Sequence, residues 1–310
     1  MKINRFFIRY RWLFLREGFL YALVLGVVFM CVNVSDVVRS VKIRQLNDAS
    51  AGINMSQLYA FSKGEIPVSA VDWQRLSAYF RLIMKFFPSQ EDAEMFLGYC
   101  EYYGLGDKEA AFEHFRHSAD NVPYYFWNLY DTGILLFQEG DMDHAVLYLE
   151  MALLLPSEKG LFTIANSILY RQFFEGGLNP DLLVRWNQAR ERIVLLLSAA
   201  YYFKGDYGMA EIFAMKGVTE KGISNREPFY FFAGAIAKAQ KNYGEAASFF
   251  DQAMKEKSRN PLVYLYAAEV MKNTGRAQEA QKILPIGQAL KKGVDSAEFS
   301  YPGYLRLEIF

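Results

Sequence analysis

Residues 227–258 read EPFYFFAGAIAKAQKNYGEAASFFDQAMKEKS, and this stretch decides the fold. An apolar run from Phe229 to Ala239 meets the polar turn Lys241-Asn242-Tyr243-Gly244, and a second run follows with apolar residues at Ala246, Ala247, Phe250 and Ala253. Steps of three and four put those side chains on one face of a helix. So short a turn folds the second helix back on the first. Small residues (Ala233, Gly234, Ala246, Ala253) let two helices approach closely, and the large Phe250 fills the space between them.

The pattern repeats along the chain. Polar, mostly Gly-bearing turns stand at Gly104–Asp107, Glu139–Asp141, Glu175–Gly177, Lys204–Asp206, Lys241–Gly244 and Asn273–Arg276. With Gly106, Gly140, Gly176, Gly205, Lys241 and Gly275 as markers, the steps are 34, 36, 29, 36 and 34 residues. A fixed period of that size signals stacked helical hairpins, each burying its apolar face against the next. The runs EAAFEHFRHSA, DHAVLYLEMALLLP, GMAEIFAMKG, GEAASFFDQAM and AQEAQKIL supply second helices after most turns.

These residues resemble the tetratricopeptide repeat family, whose 34-residue helix-turn-helix units stack into a right-handed superhelix. In the unit quoted first, Ala233-Gly234 matches the family's Leu-Gly pair, Tyr243 and Ala246 follow the turn, and Phe250 and Ala253 take the large and small packing positions. The unit ending at Pro156 offers Gly133, Gly140, Ala145, Leu149 and Ala152; Arg190–Lys221 offers Tyr201, Gly205, Tyr207 and Ala210; Pro261–Leu290 offers Ala267, Ala268, Gly275, Ala280 and Leu284. The resemblance implies an all-α fold, an α-solenoid of six or seven such units over residues 69–292. The run from Val71 to Pro88 reads as the second helix of a degenerate first unit. The unit around Gly176 has a short second helix opening at Asn179-Pro180-Asp181, and the last unit holds Pro285 inside its second helix.

Upstream of the array, Gly18 to Ser35 are uncharged, GFLYALVLGVVFMCVNVS. As a helix they extend about 27 Å, enough to cross a bilayer core. Tyr10 and Trp12, among Arg9, Arg11 and Arg16, suit the interface, and the residues after Phe29 form no signal-peptidase site. Five basic residues precede the run and three follow it (Arg39, Lys42, Arg44), which places the N-terminus in the cytoplasm. The expected organisation is a basic cytoplasmic segment at 1–17, a transmembrane anchor at 18–35, a helical spacer at 36–68, the solenoid, and a C-terminal cap or tail at 293–310. Residues 1–44 carry eight basic and two acidic side chains, out of 34 of each in the 310-residue chain. The remainder is therefore mildly acidic and ill suited to nucleic acid.

Candidate chemistry is sparse. His114 and His117 stand at i, i+3 in HFRH without the further ligands a metal needs, and they read as surface histidines; His144 reads as part of a helix start. No phosphate-binding Gly loop or nucleophile elbow is present, and Cys31 and Cys100 lack catalytic neighbours. No enzyme activity, cofactor or metal is expected. The family resemblance implies instead a concave groove lined by first helices. Carried over by position, it assigns Phe96, Tyr103, Trp127, Tyr130, Phe137, Tyr202, Phe203 and Phe231 to the groove, with Trp127 and Tyr130 foremost. The competing role for these aromatics is packing between adjacent units. Their ligand would be a protein or peptide held by aromatic anchors. The expected function is a membrane-anchored scaffold for an extracytoplasmic envelope or secretion assembly. The alternatives are a cytosol-facing receptor or chaperone-docking protein, and a catalytic or glycan-handling subunit.

Overall fold

The computed structural model describes residues 23–24, 27, 30, 34–35, 37–51, 53, 55–62, 64–87, 92–123, 125–155, 180–291, 301–305 and 307. Among the described residues there are helices and turns and no strand. In chain order the helices are α1 (37–50), α2 (Met55–Ser62), α3 (Trp73–Phe86), α4 (Asp92–Tyr99), α5 (Lys108–Asn121), α6 (Phe126–Glu139) and α7 (Met142–Leu154). They continue as α8 (Pro180–Lys204), α9 (Tyr207–Thr219), α10 (Glu227–Ala239), α11 (Tyr243–Lys255), α12 (Pro261–Asn273) and α13 (Ala277–Lys291).

From α3 to α13 each helix packs on the next in chain order, giving the hairpins α4/α5, α6/α7, α8/α9, α10/α11 and α12/α13. First helices of successive units also touch directly, α6 on α8, α8 on α10 and α10 on α12. Second helices show no contact of that extent, so the stack bends with its first helices inside.

The turns explain the period. Gly106, Gly140, Gly205, Lys241 and Gly275 all have left-handed backbone, with φ between 64° and 83°. Each ends one helix, and in the first four the next residue caps the following one. Asp107, Asp141, Asp206 and Asn242 accept hydrogen bonds from the amides of Ala110, His144, Met209 and Glu245. Four of these five sites use glycine, which meets no Cβ penalty there.

Packing inside a hairpin follows the small-large rule. A Cβ on Gly133 would lie 2.7 Å from Leu149, and one on Gly234 would lie 2.8 Å from Phe250. Gly98 and Phe115 pair in the same way, at 3.1 Å. That pair is 17 residues apart instead of 16. The extra residue is absorbed by a π-helical turn, Cys100–Leu105, between α4 and its glycine. α13 continues through Pro285, although that residue has no N–H for the carbonyl of Gln281.

Two differences from the sequence reading concern the units. The expected second helix at Pro180 and the first helix beginning at Arg190 are one continuous helix, α8, of 25 residues. No Gly or Pro lies between Asp181 and Lys204 to end it; Trp186 and Ala189 are buried, and from Ile193 to Ala200 every residue is buried all round the helix. The remainder of the expected unit around Gly176 falls outside the described residues. Inside the expected spacer, α2 already belongs to the array: Leu58 is buried, and the Phe61 ring meets Trp73 at 5.1 Å and Tyr103 at 5.0 Å.

No helix among the described residues is long and apolar enough to cross a membrane, and the expected span at 18–35 lies mostly outside them. Its described members Leu23, Val24, Val27, Met30 and Val34 are helical with exposed side chains.

Candidate functional site

The first helices present their inner side to the C-terminal segment of the same chain. Tyr301 is buried with its ring 5.7 Å from Phe231 and 6.3 Å from Phe232, both on α10. Its hydroxyl donates to the Glu227 carboxylate at 3.0 Å. A 3-10 turn, Pro302–Leu305, then brings Tyr304 beside Asn225, whose amide reaches the phenol oxygen at 3.4 Å. Further along, Gln138 Nε2 on α6 donates to the Leu305 carbonyl at 3.0 Å. The Tyr103 hydroxyl, at the π turn after α4, donates to the Leu307 carbonyl at 3.0 Å. Leu307 is buried. The segment thus crosses the stack from α10 back toward α4 along its inner side.

This crossing sorts the eight expected groove aromatics. Tyr103 and Phe231 touch the segment. Tyr202 is half-buried against Tyr207 and Phe232, and Phe203 is 39% exposed, 6.2 Å from Phe137. Phe96 and Phe137 are buried, Phe96 stacked on Phe80 of α3 at 5.2 Å. Trp127 and Tyr130, expected foremost in the groove, are both at 0% exposure, a correction to that assignment. They pack with Phe126, whose ring also meets Trp186 of α8. The physical reason is that every residue of α6 from Phe126 to Phe137 is buried, so the helix offers no free stripe at its N-terminal half. The competing role, packing between units, holds for these two.

Residues 237–291 match the family model described as Tetratricopeptide repeat. Over those residues the chain is similar to tetratricopeptide repeats. Comparison with curated proteins gives no match. Among solved structures, a chain in the crystal structure of the APC/C hetero-tetramer Cut9-Hcn1 is similar over 77% of this chain at 15% identity and a TM-score of 0.37. This chain spans 46% of that one.

Electrostatics in the helical array centre on Glu227. It is buried, and burial holds its carboxyl above the ordinary value, opposed by the bonds it accepts from the Ser258 and Tyr301 hydroxyls. Burial, reinforced by the Glu227 charge, pushes the Tyr301 phenol well up. Tyr304 is pushed up to about 12 by burial and then by the Glu191 charge. Glu191 is itself buried on α8 and accepts from Ser224 and Asn225, which fixes the loop entering α10. Neither Glu227 nor Gln138 and Asn225 stood out in the sequence. The one available signal was the aromatic Tyr301-Pro-Gly-Tyr304 run in the tail.

The histidines pair with carboxylates. His114 and His117 both direct Nδ1 at Glu94 of α4, at 3.5 and 2.6 Å, and so tie α5 to α4. His144 Nδ1 contacts Asp141 at 2.7 Å at the start of α7, which lowers the Asp141 pKa. Among the described residues no group of three or more His, Cys, Asp or Glu is placed to hold a metal. The buried Cys100 thiol is raised by burial.

Proposed function

We propose that this protein is a scaffold that holds a segment of a partner protein along the inner side of its first helices, while residues 18–35 tether it to a membrane. The observation that carries the reading is the pair of side-chain donors, Tyr103 and Gln138, each spent on a backbone carbonyl of a segment lying across the stack. Donors aimed at main-chain oxygens accept many sequences, and apolar sockets such as that around Phe231 add selectivity. Tyr202 and Phe203 extend the apolar lining between these points. Carboxylates in this lining serve packing and helix starts, so binding, not turnover, is the reading they favour.

The tether rests on the uncharged run Gly18–Ser35 and on the exposed apolar side chains of Leu23, Val24, Val27, Met30, Val34, Val37, Val38 and Val41. We read the basic flanks as orienting the array outside the cytoplasm, and an envelope or secretion assembly is the proposed setting. Crosslinking of the membrane-embedded chain, followed by identification of the captured protein, tests the scaffold. Absence of any capture above a Phe203→Ala, Gln138→Ala control would refute it. A cysteine at exposed Lys255 should react with an impermeant reagent in intact cells. The three basic residues after the run favour a second reading, a cytosol-facing receptor, which labelling only after lysis would establish.

A further inference from the structure

The tail is built like a ligand. Two side chains of the segment, Tyr301 and Leu307, are sunk into the array, at 9% and 2% exposure. Between and beside them, two main-chain carbonyls are held by side chains of other units, more than 160 residues away in sequence. The intervening Tyr304 is only half-buried. Deep apolar anchors with main-chain bonds between them are how grooves hold peptides. An end cap would cover the last hairpin, α12/α13. This segment instead passes over α10, α6 and the turn after α4.

We infer that residues 301–307 are a built-in occupant of the groove, and that the partner is a short apolar segment with an aromatic residue at its first position and a leucine-like residue six positions on, which must displace them. The inference rests on the groove reading proposed above. Covalent attachment gives the tail an effective concentration on the order of millimolar, so modest contacts suffice to keep it seated. A free segment with the same anchors meets a site that is open for only a fraction of the time, and its apparent affinity falls by that fraction. The partner's pattern is therefore written in the chain's own C-terminus.

The test uses the full-length chain in detergent and a fluorescent peptide FSYPGYLRLEIF, the sequence of residues 299–310. A chain carrying Tyr301→Ala and Leu307→Ala should bind this peptide about tenfold or more tighter than wild type does. Adding Tyr103→Phe and Gln138→Ala to that chain should remove most of the gain. Equal affinity of wild type and the released chain would overturn the inference, as would no binding by a released chain that still melts cooperatively.

Should the released chain fail to fold, a fluorophore at the C-terminus of wild type decides the matter. Excess unlabelled peptide should lower its anisotropy as the tail leaves. Unchanged anisotropy at saturating peptide overturns the inference. A released chain that crosslinks to a cellular protein but ignores the peptide refutes this inference alone. One that binds the peptide but captures nothing refutes the scaffold reading alone.

Discussion

Glu227 is the residue whose ionisation sets itself against the fold. Its folded pKa is raised, so the stability it contributes is fully present below the ordinary carboxylate value and is lost as pH rises through the folded value. Glu227→Gln keeps an acceptor for Ser258 and Tyr301 and stays neutral at every pH. The variant should melt with wild type at pH 4 and above it at pH 8, by calorimetry across that range. Lys241 is the one turn marker that is not glycine, at φ 64°. Lys241→Gly relieves that conformation and should raise stability by about 1 kcal/mol, read as a shift in urea midpoint at constant slope. Trp127 was expected at the surface and is fully buried. Trp127→Ala should therefore cost about 3–5 kcal/mol, where a surface aromatic would cost little. Nothing in the residue itself separates the two positions, because an aromatic on a first helix serves packing and binding equally well.

At the scale of elements, hairpins were legible because two local rules coincide. A left-handed residue, usually glycine, followed by Asp or Asn stops one helix and starts the next, and a small residue seven or so positions earlier receives a large one from the returning helix. Both are written within about 20 residues of sequence. α8 broke the rhythm. A spacing of 29 between Gly176 and Gly205 reads as one more turn, but no Gly or Pro between Asp181 and Lys204 interrupts the helix. Gln188 is exposed at the middle of α8. Gln188→Pro should cost about 3 kcal/mol or more and reduce the helical signal in circular dichroism. Two separate elements meeting near residue 188 would tolerate it. The π turn at Cys100–Leu105 escaped the reading for a related reason. One inserted residue leaves the hydrophobic pattern nearly intact and shows only in hydrogen-bond register.

For the whole molecule, the array and its proposed tether are separable physical problems. Stability of the stack is a sum over neighbouring hairpins, whereas the proposed membrane attachment is a property of the N-terminal run around residues 18–35. Lysines at Val24 and Val27 should each cost about 2.5–3.5 kcal/mol of insertion and move the protein from the carbonate-washed pellet to the supernatant. The melting of the array should not change. A protein that stays in the supernatant without the lysines would remove the tether.

Sequence alone determined the helical class, five of the six expected turn positions and most of the packing pairs, since each depends on residues close together in the chain. Tertiary structure alone decided which aromatics face outward and where residues 301–305 and 307 lie. Burial is the sum of contacts from elements 50 to 200 residues apart, such as Phe126 with Trp186 or Tyr103 with Leu307, and no local pattern encodes that sum.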